Sequence, residues 1–279
     1  MAAREVCERR LEGWIVMTVT AARADTARSK AIVVALLESV REVVGRFAVT
    51  PAEYRAAVEW LAEAGRQDVL AGMLGFLLEP TIENIATGFS ATPANPQGPY
   101  YVADAPVFAS PCRLPGADDD AGTPLLFTGR VRSADGEPLP GAVLDLWHAD
   151  SLGRYSNFHD GTQPFALRGR VIADGDGVFL VQTVKPVAYV FASEGPILDF
   201  LHALGRTEYR AAHLHAKLSH PGYRSLTTQV YFPGDPYEES ELLGEAGAGL
   251  VAACRDQHDP GDGQHVRAEL DFVLTREHG

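Results

Sequence analysis

The 279-residue sequence predicts an α+β, mainly β fold: an antiparallel β-sandwich domain preceded by an N-terminal helical region. Three observations predict it. Apolar residues recur at three- and four-residue spacing in the first third of the chain. From Leu125 onward, short β-type runs are separated by Gly, Pro and Asp turns. Few helical stretches intervene between those runs, which favours an antiparallel sandwich over a parallel α/β sheet. The predicted division is residues 1–90 for the helical region and 91–279 for the sandwich.

In the helical region, Ile32, Val33, Leu36, Leu37, Val40 and Val43 form one apolar stripe on a helix from Ala27 to Val44. A second helix opens with Thr50-Pro51-Ala52-Glu53, a capping box with proline at the first helical position, and stops near Gly65. A third runs from Asp68 toward Ile85. Three amphipathic helices enclose little core alone, so their apolar faces must lie on the rest of the chain or on a second copy. Beyond a loop from Gly88 to Gly98, strands are predicted at Leu125–Arg132, Ala142–His148, Gly169–Ala173, Val178–Lys185, Ala212–Leu218, Thr227–Phe232 and His265–Thr275. Asp135-Gly136, Asp174-Gly175 and Asp176-Gly177 supply tight turns.

Composition narrows the function classes. With 46% hydrophobic and 22% charged residues the chain is of folded, globular type. A net charge of -13 opposes attraction to phosphate backbones and anionic lipid, so neither nucleic acid nor membrane is expected as a partner. Cys7, Cys112 and Cys254 are odd in number and lack CxxC spacing, which argues against a disulfide framework and a thiolate zinc site and points to a reducing cytoplasm. Gly13–Ala22 imitates a signal-peptide core but is far shorter than the roughly 20 residues that span a bilayer. Glu5, Glu8 and Glu12 stand where a signal would be basic, so an extra helical N-terminus is expected there.

The sharpest local signal is His213-Leu214-His215, because residues i and i+2 of a strand share a face and two imidazoles there can converge on one metal. A cupin-type site would want a glutamate a few residues later, where Lys217, Leu218, Ser219 and His220 stand instead. A zinc site could draw on Asp145, His148 or His220, but no spacing nominates one. The remaining histidines, His159, His202, His220, His258, His265 and His278, have no partner spacing and read as surface or loop residues.

A wider set of segments carries a resemblance. These are Gly98-Pro99-Tyr100-Tyr101-Val102, Leu144 to Asp150 leading to Gly153-Arg154-Tyr155-Ser156, Arg168-Gly169-Arg170, Thr183 to Tyr189, Arg210 to His215, and Leu226-Thr227-Thr228-Gln229. Together they resemble the intradiol ring-cleavage dioxygenases of the catechol, hydroxyquinol and chlorocatechol 1,2-dioxygenase group, in that family's order. The resemblance implies a non-haem Fe(III), one per subunit, held by Tyr155, Tyr189, His213 and His215. It implies insertion of both atoms of O2 into a catechol-type diol, cleaved between its hydroxylated carbons to a cis,cis-muconate-type product.

By the same resemblance Tyr189 doubles as a general base, and Arg210 stabilises charge that develops on the ring as O2 adds. The family usually has proline after this arginine; here Ala211 stands there. On a continuous strand Arg210 would also face away from His213, so the reading requires a bend between them. Gln229 is implied to hydrogen-bond a ligand or the substrate. The pocket wall is implied at Pro99 and Tyr100, at Leu242 and Leu243, and at Val69 and Gly72 on the third helix. Gly72, where relatives acting on hydroxyquinol or chlorocatechol often carry an acidic or bulkier residue, implies a roomier, less polar pocket. Asp145, Trp147 and His148 are expected to frame the site structurally. The helices resemble the family's dimer linker, which can hold a lipid in an apolar tunnel, so a homodimer is expected.

Two alternatives of other classes remain at this level. Asp135-Gly136-Glu137-Pro138-Leu139-Pro140-Gly141 also resembles transthyretin-like sandwiches, which serve as metal-free binding modules. A histidine-based metal hydrolase is the other, and it has no use for Tyr155 or Tyr189.

Overall fold

The computed structural model describes residues 26–89, 91–118, 120–237, 249–259 and 263–277. The Gly13–Ala22 segment lies outside them. The chain divides into two compact units, Met1–Gly72 and Met73–Gly279.

The helical stripe and the cap form as the spacing predicts. Helices α1 (Thr26–Arg46), α2 (Pro51–Arg66) and α3 (Leu70–Ala86) follow one another. At the start of α2 the Glu53 carboxylate accepts from the Thr50 backbone N–H at 2.7 Å, and the Thr50 hydroxyl accepts from Glu53 N–H at 3.3 Å. Ile32, Leu36, Val40 and Val43 on α1 are all exposed.

The strands are β1 (Val107–Ala109), β2 (Cys112–Arg113), β3 (Pro124–Ser133), β4 (Val143–His148), β5 (Arg168–Ile172), β6 (Val178–Val184), β7 (Tyr189–Val190), β8 (Tyr209–Arg210), β9 (His213–Ser219), β10 (Leu226–Tyr231), β11 (Ala253–Asp259), β12 (Gly263–Glu269) and β13 (Phe272–Leu274), with helix α4 (Pro196–Ala203) between β7 and β8. They form a five-stranded sheet in the order β1-β5-β4-β9-β10, a six-stranded sheet in the order β11-β12-β3-β6-β2 with β13 also on β3, and a ribbon of β7 and β8. Alternation sends every second side chain of each large sheet inward. Leu144, Leu146, Val171, Leu214, Leu218 and Val230 from one sheet meet Phe127, Val131, Phe179, Val181 and Phe272 from the other in a single buried core.

The sheets are mixed where a purely antiparallel sandwich is predicted. The central pairs are antiparallel, but β1 on β5, β2 on β6, and β12 and β13 on β3 run parallel. Those strands reach their partners through long connections, not hairpins, which parallel pairing requires. The predicted final strand is broken at Leu270-Asp271, where the Asp271 carboxylate accepts from Arg130 N–H at 2.9 Å. Strand β11 is absent from the prediction because Cys254-Arg255-Asp256-Gln257-His258 is polar throughout; its ladder with β12 makes it a strand.

Candidate active site

Register places the chemistry. Trp147 on β4 pairs with His215 on β9, and His215 pairs with Gln229 on β10. Arg168 on β5 pairs with Trp147, so Arg168, Trp147, His215 and Gln229 form one row across four strands. His213 and Tyr231 are partners two residues along. This face points away from the core that holds Leu146, Leu214 and Val230.

The two imidazoles converge on that face, with His213 Nε2 3.1 Å from His215 Nε2. His213 Nδ1 donates to the Ala211 carbonyl at 2.7 Å, which leaves its Nε2 lone pair free to ligate. Both rings are buried. Burial, with Arg210 next, holds His213 well below the ordinary histidine pKa, and burial with His213 and Arg210 does the same for His215. Both are therefore neutral imidazoles at neutral pH, the form that binds metals.

Tyr155 arrives on the loop after β4. The Asp150 carboxylate shapes that loop by accepting from Leu152 N–H at 2.9 Å and Arg154 N–H at 2.8 Å, and it binds the Arg154 side chain. Gly153 has φ +76°, and a Cβ there would lie 2.9 Å from Tyr189 Cβ, so a side chain at this position would push the two tyrosine-bearing segments apart. The Tyr155 hydroxyl lies 3.5 Å from His213 Nε2. Tyr189 meets the Tyr155 ring edge-on at 5.5 Å and lies 5.6 Å from the His213 ring. Burial, then Tyr189, raises the Tyr155 phenol well above its ordinary value. In this pocket Tyr155 ionises only beside a strong local cation.

Tyr189 and Arg210 are cross-strand partners in the β7–β8 ribbon. The chain leaves that ribbon and enters β9 within Ala211-Ala212, where the Asp235 carboxylate accepts from Ala212 N–H at 3.0 Å. That break supplies the bend the sequence requires, without proline. The buried Arg210 guanidinium donates to Gln229 Oε1 at 2.7 Å and lies 5.2 Å from the Phe76 ring and 6.0 Å from the Phe191 ring. Gln229 is fully buried; its Nε2 donates to the Pro96 carbonyl at 2.8 Å, and its Oε1 also accepts from the Tyr231 hydroxyl at 2.9 Å.

Among the described residues no group of three or more His, Cys, Asp or Glu could hold a metal, and the side chains beside His213 and His215 include the phenols of Tyr155 and Tyr189. The profile of the family described as Dioxygenase matches residues 96–276. The chain belongs to the intradiol ring-cleavage dioxygenases. It is 36% identical to the chlorocatechol 1,2-dioxygenase of Pseudomonas putida over 87% of this chain and 91% of that protein. It is 34% identical to the catechol 1,2-dioxygenase of Acinetobacter baylyi over 89% of this chain and 86% of that protein. Among solved structures, the 3-chlorocatechol 1,2-dioxygenase of Rhodococcus opacus superposes with a TM-score of 0.77 at 30% identity, over 90% of this chain and all (100%) of that one.

In this intradiol dioxygenase the structure gathers Tyr155, Tyr189, His213, His215, Arg210 and Gln229, and it adds Tyr100, whose ring stacks on Tyr155 at 4.3 Å and 14°. Pro99 is half-buried beside Tyr100. Leu242 and Leu243 lie outside the described residues. Val69, in the turn before α3, and Gly72, in its first turn, belong to the first compact unit.

Residues without an assigned role in the sequence reading also surround the dioxygenase site. Phe76 and Phe191 flank Arg210, and the helical reading of α3 gave no hint of it. His159, read as a surface or loop residue, lies in the loop after β4, half-buried, and its Nδ1 accepts from Tyr155 N–H at 3.0 Å. His265, read likewise, is buried. Arg168 donates to the Tyr100 carbonyl and to Ser156. Only its place in the Arg168-Gly169-Arg170 motif singled it out.

Proposed function

We propose that Tyr155, Tyr189, His213 and His215 hold one non-haem Fe(III) per subunit. With it the enzyme cleaves a catechol-type diol between its hydroxylated carbons, using both atoms of O2, to a cis,cis-muconate-type product. The observation that carries this reading is the convergence of His213 Nε2, His215 Nε2 and the Tyr155 hydroxyl at 3.1 and 3.5 Å, with Tyr189 against them. Such separations suit adjacent ligands each about 2.0–2.1 Å from a single ion. Hard phenolate oxygen suits a hard trivalent ion better than zinc. When bound, the ion supplies the charge that ionises the phenols and the Lewis-acid site at which the diol chelates and is activated toward O2.

The chain's own residues do the rest. Tyr189 accepts a diol proton at its phenolate oxygen and so acts as general base. Arg210, fixed by Gln229 and the two phenyl rings, aims its charge at the negative charge that develops on the ring and its oxygens. Pro99 and Tyr100 form one wall of the pocket. The family match gives no support to a metal-free binding module or a histidine-based hydrolase.

The enzyme is read as a cytoplasmic homodimer. The exposed stripe Ile32, Leu36, Val40 and Val43 on α1 suits burial against a second copy, and a bound lipid belongs to the same reading. Light scattering that gives a monomer mass would refute the dimer. Among the described residues no single helix is long and apolar enough to cross a membrane.

The deciding experiment is a visible spectrum of the iron-replete protein before and after anaerobic catechol. A broad phenolate-to-Fe(III) band that moves to longer wavelength on catechol addition is expected, followed by muconate formation when O2 is admitted. No such band at verified iron occupancy would overturn the two-tyrosine site.

A further inference from the structure

Arg168 opens β5 and is only 1% exposed. Its guanidinium is fully engaged on one side: Nε donates to Ser156 Oγ at 2.7 Å, Nη1 to the Tyr100 carbonyl at 2.7 Å, and Nη2 to the Ser156 carbonyl at 2.9 Å. Ser156 Oγ in turn donates to the Ala166 carbonyl at 2.7 Å. The guanidinium carbon lies 6.0 Å from the Tyr155 ring centroid and 5.7 Å from that of Phe158. All three hydrogen bonds from Arg168 itself end on the segments that carry the stacked rings of Tyr100 and Tyr155.

No carboxylate among the described residues forms an ion pair with Arg168. A buried cation is costly unless a counter-charge offsets it, and a neutral side chain such as glutamine could tie two carbonyls together without that cost. Two groups act electrostatically on the Arg168 charge, the Tyr155 phenol and the buried Asp145 carboxylate. Of the two, only Tyr155 lies on a segment that the Arg168 fork hydrogen-bonds, through the adjoining Ser156.

Resting on the four-ligand reading above, we propose that Arg168 is a positioning residue of the metal centre. Its fork locks Tyr155 against Tyr100, and its fixed positive charge balances the Tyr155 phenolate. It does this from the same cross-strand row that carries His215, with Trp147 between them. The sheet register thereby couples the placement of an imidazole ligand to that of a phenolate ligand.

The test compares wild type, Arg168→Gln, Arg168→Lys and Ser156→Ala, each loaded with Fe(III) and measured without substrate. The readouts are the maximum of the phenolate charge-transfer band and the rate of iron loss to a chelator. Removing a positive charge near the phenolate raises the energy of its donor orbital. Arg168→Gln is therefore expected to move the band to longer wavelength and to lose iron about tenfold faster or more, as loss of a ligand's supporting partner typically does. Arg168→Lys, which keeps the charge but not the fork, should return the band toward wild type while iron loss stays fast.

Ser156→Ala removes one anchor and should shift the band in the same direction by less. An unshifted band with wild-type iron retention in Arg168→Gln overturns the proposal. Should that variant fail to fold, the same result in Ser156→Ala overturns it. A wild-type protein with iron but no phenolate band fails earlier and sinks the ligand reading together with the role of Arg168. A normal wild-type band with no effect in the variants sinks the role of Arg168 alone.

Discussion

The indole of Trp147 lies parallel to the imidazole of His215, with 4° between their planes and 4.7 Å between their centroids. The two are partners across β4 and β9, so the register of the sheet sets the stack. Among the described residues the buried His215 Nδ1 has no hydrogen-bond partner, whereas His213 Nδ1 is held by the Ala211 carbonyl. One imidazole is oriented by a hydrogen bond and the other by a flat apolar face.

Trp147→Leu is expected to loosen iron by about tenfold or more while His213 keeps its orientation. The variant should also lose roughly 2–4 kcal/mol of stability, since a large buried ring is replaced by a smaller side chain. Iron content after gel filtration and the urea midpoint measure the two effects separately. Wild-type iron retention would show that the stack does not orient the ligand.

Arg210→Ala should lower kcat by about 10²–10³-fold, the range for a lost charge-stabilising donor, with a smaller change in KM. Phe76→Ala leaves the guanidinium in place but removes one ring from its flank. A loss of about 1–2 kcal/mol of cation–π support predicts a fall in kcat of roughly tenfold. Steady-state oxygen uptake at varied catechol separates kcat from KM, and an unchanged kcat in Arg210→Ala would refute its role.

Acid sensitivity follows from the buried histidines. His148 is wholly buried; its Nδ1 donates to the Ala149 carbonyl and its Nε2 accepts from the Thr183 hydroxyl, both at 2.8 Å. Burial lowers it from 6.5 to about 4. Between those values the unfolded chain binds a proton that the folded chain does not, so stability falls as pH drops through the window. The loss approaches about 3 kcal/mol for this residue alone. His213 and His215 shift in the same direction. Urea midpoints of iron-free protein at pH 7.5 and 5 should differ accordingly, and His148→Gln should reduce the slope.

Gly129 sits where a Cβ would lie 1.9 Å from the Leu270 carbonyl oxygen and 2.9 Å from the Phe179 ring. Gly129→Ala forces β3 away from the segment joining β12 to β13. The expected cost is about 1–3 kcal/mol, as for other overpacked cores. A thermal melt no lower than wild type would show that the backbone yields freely there.

The legible parts of this protein are those where one local rule dominates. The Thr50–Glu53 box and the apolar stripe of α1 needed nothing beyond their own residues. His213 and His215 announced themselves because strand alternation turns a two-residue spacing into a shared face. Tyr155 and Tyr189 are different: both are loop or ribbon residues, and no periodicity brings them to the histidines, so only the order of several motifs pointed to them. The role of Arg168 and that of Phe76 escaped because their contacts join elements far apart in the sequence, whereas the contact of His159 is local, four residues from Tyr155, and carried no pattern to reveal it. Register across four strands is a tertiary property, and the edge strands that run parallel were hidden for the same reason.

At Gly153 the backbone of one phenol-bearing segment runs where an added Cβ would meet the Tyr189 Cβ of the other at 2.9 Å. Contact of that kind works as a gauge block, since any atom inserted there drives the two segments apart. Their spacing is thus a dimension set in part by the main chain. A variant that added even one methyl group at this point would recalibrate it without altering either phenol.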